Sequence, residues 1–282
     1  MTGAGAYRPH AAAEGTAGQA AGVRAAPRLV LTARDGLAVA WRNLIGLRRV
    51  PRLLVFSTIQ PLVFVLMFRY VFGGVVQPAL HGVDYVDFLI PGIFVQTAVF
   101  GAMNTAIGLA TDMQTGLMER FRSLPMARSA VLVGRTTADL ARNVFVVALM
   151  SGVGFAMGFR IHAGVPAFLG GVLLVLAFGF AMSWIFAVVG MAVGDPETAQ
   201  AAAFPVLAPL VFASAAFVPV STMPGWLQAF AEHQPVSRNA EAVRALVLGG
   251  PTATDVLQAL AWDAGIVAVF APIGVWLYRK ER

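Results

Sequence analysis

Asp112-Met-Gln-Thr-Gly-Leu-Met-Glu-Arg-Phe-Arg-Ser-Leu-Pro-Met-Ala-Arg128 stands between two long apolar runs and is far too polar to share their environment. A chain that enters and leaves an apolar solvent must present such a break, and this one has internal order. Leu117, Phe121 and Leu124 recur at i, i+4 and i+7, which puts them on one helical face, while Glu119, Arg120 and Arg122 fall largely off that stripe. Thr111 and Gln114 have capping-box spacing at the start, and Pro125 marks a stop. The spacing predicts a short amphipathic helix over about 112–127, at the cytoplasmic mouth of a membrane bundle. Two roles fit these residues equally: a helix that docks into a soluble partner, or a connector lying among lipid headgroups.

Composition points the same way. The 282 residues are 58% hydrophobic and 12% charged, whereas a soluble domain carries roughly 25% charged residues. Such a chain cannot cover its surface with charge, so lipid is much of its solvent. The absence of cysteine excludes a disulfide framework, a thiol nucleophile and a cysteine metal site. The net charge of +6 comes from 19 Arg and one Lys. In a membrane chain these mark the cytoplasmic flanks of spans rather than a nucleic-acid surface.

Residues 1–27, mostly Ala, Gly and Thr, read as a disordered cytoplasmic tail with no secretory signal. Residues 28–52 set Leu37, Trp41, Leu44 and Leu47 among Arg34, Arg42, Arg48 and Arg49, the pattern of a helix lying along a membrane surface. A helical span needs roughly 20 mostly apolar residues. Six segments of 53–282 qualify: about 53–72, 88–111, 140–159, 165–193, 201–220 and 256–278. The loop 73–87 and a longer region, 224–249, lie between spans. The latter reads as a broken amphipathic pair, with Ser237 as the N-cap of its second half; the halves either dip into the outer leaflet or form an interfacial hairpin. Gly154-x-x-x-Gly158 and Gly190-x-x-x-Gly194 would let helix backbones approach closely.

Orientation follows from the basic residues. Eight Arg lie between Arg8 and Arg52; Arg120, Arg122, Arg128 and Arg135 follow span two; Arg279, Lys280 and Arg282 end the chain. The opposite side holds only Arg69, Arg160, Arg238 and Arg244. Both termini are therefore expected in the cytoplasm. The expected fold is all-α and integral to the membrane: six transmembrane helices, an N-terminal interfacial helix, a cytoplasmic helix at about 112–127 and an outer half-helix pair at about 224–249.

The missing motifs matter as much. A phosphate-binding loop needs a lysine after a glycine, and the one lysine, Lys280, lies between Arg279 and Glu281. His10, His81, His162 and His233 are isolated, so no metal site is expected. Polar residues inside spans are functional candidates: Gln60, Gln96, Asn104 and Asp263 either line a translocation path or bond neighbouring helices. Asp263, about two turns into the sixth span, would be within reach of water or of Arg160, and Asp139 and Arg142 would pair with the Arg120 region.

At these residues the chain resembles a known family. Arg42-Asn43-Leu44, Arg49-Val50-Pro51-Arg52-Leu53, Gln60-Pro61, Phe72-Gly73-Gly74, Asp84-Tyr85 and Phe88-Leu89-Ile90-Pro91-Gly92 are similar to the membrane subunit of type-2 ABC exporters. Glu119-Arg120-Phe121-Arg122-Ser123-Leu124-Pro125-Met126-Ala127-Arg128, with Gly134-Arg135 behind it, resembles the cytoplasmic loop of the daunorubicin-resistance permeases, the DrrB-like branch. Met223-Pro224-Gly225-Trp226-Leu227 and Gln234-Pro235 look like the outer loop of that branch.

The resemblance implies a permease subunit of an ATP-driven exporter in the bacterial plasma membrane, moving amphipathic or hydrophobic cargo such as a drug, natural product or lipid-like molecule. It implies a homodimer of permeases and a separate ABC subunit that carries ATP and Mg, with no cofactor or metal on this chain. The helix near 112–127 would be the coupling helix. Leu117, Glu119, Arg120, Phe121, Arg122 and Leu124 would touch the ATPase, with Arg42 and Arg49 of the connecting helix nearby. The outer pair would help gate the exit. Two other functions compete: an ion-coupled secondary transporter, with Asp263 or Asp139 carrying a proton, and an intramembrane enzyme, for which no convergent catalytic group is present.

Overall fold

A computed structural model of the chain describes residues 51–80, 82–115 and 128–280. The tail 1–27, nearly all of the connecting segment 28–52, and residues 116–127 of the expected coupling helix lie outside the described residues. All of the described regular structure is helical. Among the described residues, four helices are long and apolar enough to cross a membrane: Thr58–Leu80, Tyr85–Gln114, Val165–Val193 and Thr252–Tyr278.

The first begins as α1, Pro51–Met67, and runs on through a π-helical turn, Phe68–Phe72, a short α2, Gly73–Val76, and a 3-10 turn, Gln77–Leu80. Much of the expected loop 73–87 is therefore helical, and only about four residues separate this run from α3, Tyr85–Gln114. Gln77 closes that gap: its Nε2 donates to the Val83 carbonyl and its Oε1 accepts the Tyr85 N–H, both at 2.8 Å. Asp84 caps α3 by accepting the Val86 N–H, and it pairs with Arg69 at 3.2 Å.

The remaining helices are α4, Arg128–Ala156; α5, Val165–Val193; α6, Pro196–Phe212; α7, Gly225–His233; α8, Pro235–Leu248; and α9, Thr252–Lys280. Successive long helices alternate in direction. One end of the bundle thus gathers Tyr85, the 157–164 loop, α8 and the start of α9. The other gathers Pro51, Gln114, Arg128, the 194–195 turn and Lys280.

Helix α3 is the axis. In its most apolar stretch 83% of residues are buried, against 17% in α9, because α3 packs on α4, α5, α6 and α8 while α9 covers α5 and α8. Lipid tails are as apolar as leucine, so such contacts depend on close packing and polar bonds rather than on expulsion of water. Close packing is visible at both glycine pairs, and the two members of each pair do different things. A Cβ on Gly190 would overlap the Ala106 backbone of α3, and one on Gly154 would crowd Ile90. Gly158 and Gly194 instead end α4 and α5 at positive φ, +101° and +73°, a conformation other residues adopt only with strain.

Three boundaries depart from the sequence expectation. Thr111 and Gln114 belong to the last turn of α3, where the Thr111 hydroxyl donates back to the Ile107 carbonyl. They lie within α3 rather than at a helix N-terminus, and the remainder of the expected coupling helix lies outside the described residues. Helix α4 begins about a dozen residues before the apolar segment at 140. Helix α6 starts at Pro196 rather than 201, because Asp195 caps it: Oδ2 accepts from the Thr198 N–H at 2.8 Å and the Thr198 hydroxyl at 2.7 Å.

At its other end α6 stops inside the bundle, and its freed backbone groups find side-chain partners. The Gln234 amide donates to the Leu210 carbonyl at 2.9 Å; Ser237 Oγ accepts the Ala215 N–H at 2.9 Å; the Tyr85 hydroxyl donates to the Phe217 carbonyl at 2.9 Å. Arg244, on α8, donates through Nη2 to the carbonyls of Ala215 and Ala216 and through Nε to that of Phe88, with its guanidinium 3.5 Å over the Phe88 ring. The N-cap of α8 is Gln234 rather than Ser237, which is committed to this junction. The two outer helices are thereby distinguished: α8 is built into the core, with Ala240, Val243 and Val247 fully buried, whereas α7 leaves Trp226 77% exposed.

Two outcomes test these boundaries. Arg244→Ala leaves the buried Ala215 and Ala216 carbonyls without their donor, each costing about 1–3 kcal/mol, so thermal unfolding in detergent should fall by several degrees or more, with Arg244→Lys in between. The hydrogen bonds from the Thr198 N–H and hydroxyl hold the exposed Asp195 carboxyl below its ordinary range. Its contribution to α6 is therefore present above the unfolded value and is lost as pH falls through the depressed folded value. Amide exchange at Thr198 should accelerate only in that acid window, and Asp195→Ala should remove the pH dependence.

Candidate functional site

A cavity of about 290 Å³ opens between α1, α3 and α4, lined by Gln60 and Pro61 of α1, Gln96, Phe100 and Asn104 of α3, and Arg142, Asn143 and Val146 of α4, among others. Three of the four intramembrane polar residues singled out in the sequence thus share one chamber. They lie at the right spacing to do so: Gln96, Phe100 and Asn104 recur every four residues along one face of α3. The fourth, Asp263, does not line this space. It lies buried between α8 and α9, accepting from Asn239 Nδ2 at 3.1 Å. Arg160, its expected partner, is elsewhere: its backbone N–H donates to Asp87 Oδ1 at 2.9 Å and its guanidinium to the Phe159 carbonyl.

The cavity wall on α4 is held by a polar network that the sequence pattern did not assemble. Arg142 pairs with Asp139 at 3.3 Å and donates to the Gly101 carbonyl of α3 at 2.6 Å. The Thr105 hydroxyl donates to the other Asp139 oxygen at 2.5 Å. The described partners of Asp139 and Arg142 are therefore each other and α3; the Arg120 region lies outside the described residues. Since the guanidinium has a carboxylate beside it, the cavity carries little net charge.

Asn143 was not among the sequence candidates. Its side chain is wedged between two glycines: a Cβ on Gly101 would overlap its Oδ1, and one on Gly179 would lie 2.8 Å from its Nδ2. The amide thus fills the space that two missing methyl groups leave between α3 and α5. A helical wheel of α4 alone places Asn143 on a buried face, but only the approach of α3 and α5 shows that it needs glycine on both sides.

Gln96 differs from these residues. It is 1% exposed, and its Oε1 has no hydrogen-bond partner. The sequence allowed that Gln96 and Asn104 bond across helices, and neither does: Asn104 Nδ2 donates to the Phe100 carbonyl of its own helix. Among the described residues, Trp184 Nε1, Asn239 Oδ1 and Asp263 Oδ2 are also buried without a partner, but only Gln96 lines the cavity.

From Phe100 the cavity wall continues into a series of phenylalanines toward the Tyr85 end. Phe64 lies 6.4 Å from Phe100 and 5.7 Å from Phe217, and Phe68 stacks on Phe217 at 4.3 Å and 3°. Phe72 and Phe212 extend this series and are half exposed. The π-helical turn at Phe68–Phe72 shifts the helical phase, as single π turns do. It brings Phe68 and Phe72, at its two ends, to 5.1 Å between ring centroids in a tilted contact.

The described residues include no cluster that could hold a metal ion. What the site offers is an apolar bundle with a nearly neutral polar chamber and an aromatic surface leading from it.

The chain belongs to the ABC-2 type transporter family, whose model matches residues 35–248. It is a membrane permease subunit, a multi-pass protein of the bacterial plasma membrane, of a kind that works with an ATP-binding partner. The daunorubicin resistance ABC transporter permease protein DrrB1 of Streptomyces coeruleorubidus is 38% identical over 86% of this chain and 85% of its own length. The doxorubicin resistance ABC transporter permease protein DrrB of Mycobacterium tuberculosis is 29% identical over 68% of this chain and 64% of its own.

The wedge supplies a test. Gly179→Ala should displace Asn143 and lower stability by about 1–3 kcal/mol, the cost of overpacking. Combining it with Asn143→Ala should recover part of that loss in a thermal-unfolding cycle, since the two changes share one space.

Proposed function

We propose that this chain is the permease half of an exporter for amphipathic molecules, with cargo passing from the Gln60–Gln96–Asn104 chamber along the phenylalanine surface. The carrying observation is the continuity of the two: a polar chamber enters an aromatic surface at Phe100. A molecule with a polar group and a flat apolar body would find both of its halves matched, and the resistance functions in the names of DrrB1 and DrrB concern molecules of that kind. The half-exposed Phe72 and Phe212, with Ile59, Val63 and Tyr70 of the same run exposed, leave room for a second copy of this chain to close the route.

The full topology in this proposal is six spans with both termini in the cytoplasm. Helix α4, at 29 residues, is ~43 Å long at ~1.5 Å per residue, enough for a ~30 Å hydrocarbon core. Helix α6 and the irregular residues after it would make the fifth crossing. The basic residues support the orientation, since Arg69, Arg160, Arg238 and Arg244 all fall toward the Tyr85 end.

ATP and Mg would be held by a separate subunit docked on the segment between α3 and α4. Leu117, Phe121 and Leu124 would fill its groove; Glu119, Arg120 and Arg122 would fix the register; Arg42 and Arg49 would lie nearby. Support comes from the residue pattern and from the placement of Gln114 and Arg128 at the same end of the bundle. Force on this segment would reach the chamber directly, because α3 and α4 form two of its walls.

Phe121→Ala should weaken recovery of the co-expressed ATPase by about tenfold or more, the effect expected for truncating a central aromatic anchor. Glu119→Arg should act in the same direction. Undiminished pull-down with unchanged ATP-driven efflux would reject the docking surface.

A further inference from the structure

We infer that the cavity is a subsite for an uncharged hydrogen-bond donor, a hydroxyl or amide N–H on the cargo, with Gln96 Oε1 as its acceptor. The inference deepens the permease proposal and rests on it for the word cargo. The binding chemistry stands on the cavity itself.

Two of the donors already in the chamber are committed. Arg142 gives its guanidinium to the Gly101 carbonyl and to Asp139, and Asn104 gives its amide to Phe100. The Asn143 amide is held between Gly101 and Gly179. An acceptor is left over: Gln96 Oε1, buried and without a partner, on a residue that lines the cavity. Buried carbonyl oxygens are nearly always paired, because leaving one bare in an apolar surrounding is costly. An exception beside a cavity marks a place where a visiting group supplies the missing proton.

The preference for a neutral group follows from Arg142. Its charge is offset by Asp139 3.3 Å away, so the chamber attracts neither an ammonium nor a carboxylate strongly. The volume of about 290 Å³ admits a polar substituent and the edge of a ring rather than a whole drug-sized molecule. The half-exposed Phe72 and Phe212, at the end of the phenylalanine series, would take the rest.

The test uses the full chain in lipid nanodiscs and two fluorescent probes, dansyl-undecanol and its O-methyl ether, which differ by one O–H donor. The alcohol should bind about three- to tenfold more tightly, the range expected for one net hydrogen bond. Gln96→Met should bring the two probes within about twofold of each other. The same variant should unfold at a temperature no lower than wild type, because it removes an unpaired oxygen rather than a bond; a structural role for Gln96 would lower it. Met103→Trp, which fills the chamber from α3, should weaken both probes.

Equal affinity of alcohol and ether for the wild type, a preference that survives in Gln96→Met, or failure of either probe to bind would each overturn the inference. A resident water on Gln96 would produce the first of these results. ATP-driven movement of the alcohol, measured with the partner ATPase in the same lipid, separates the two proposals. Transport without the Gln96-dependent preference overturns the subsite alone. The preference without transport overturns the permease route alone.

Discussion

Helix α6 ends within the bundle, and the rest of the architecture accommodates that fact. A chain in hydrocarbon has no water to take up carbonyls that leave a helix. Leu210, Ala213, Ala215, Ala216 and Phe217 therefore require donors from elsewhere, and Gln234, Arg244 and Tyr85 supply them. Because these donors come from α3, α8 and the turn before α8, satisfying one break fastens three elements. Arg244 does most, since a planar guanidinium presents several donors in a fixed fork and reaches both Phe88 and the 215–216 carbonyls. This junction holds the first turn of α3, and α3 carries the face on which the chamber is built.

The two ends of α3 are consequently unlike. Toward Tyr85 it is fastened by side-chain bonds to α6 and, through Asp87, to the 160–162 loop. Toward Gln114 its neighbours include close backbone contacts such as Gly190 on Ala106, and its Thr105 and Gly101 are bonded to Asp139 and Arg142 of α4. Relative to α5, a load applied beyond Gln114 would meet packing that can slide before it meets the clamp that cannot, while the Asp139–Arg142 network carries α4 along with α3. Shear between closely packed helices is a common form of such motion.

Within this frame the polar residues of the bundle fall into two groups. Arg142, Asp139, Thr105, Asn143 and Arg244 all have their hydrogen bonds or their fitted space, and they fix helices to one another. Gln96 has neither, and it borders the space that a ligand could enter. The difference between holding a fold and meeting a cargo is here a difference in satisfaction, not in residue type, and a list of polar residues inside spans does not contain it.

The membrane setting, the all-helical class, the α5 limits at 165 and 193 and the α3–α4 polar break were legible in the sequence, because each depends on apolar run length or on a residue's own backbone preference. The candidates Gln60, Gln96 and Asn104 were legible for the same reason: polar residues are rare where lipid is the solvent. Their meeting in one chamber, the diversion of Asp263 to Asn239, the wedge of Asn143 and the early start of α4 were not. The first three depend on which faces of α1, α3, α4, α5, α8 and α9 come together, and that is settled by packing between residues tens of positions apart. Local composition tells a helix that it may cross a bilayer; only its neighbours determine which of its polar groups are paired and which are left open.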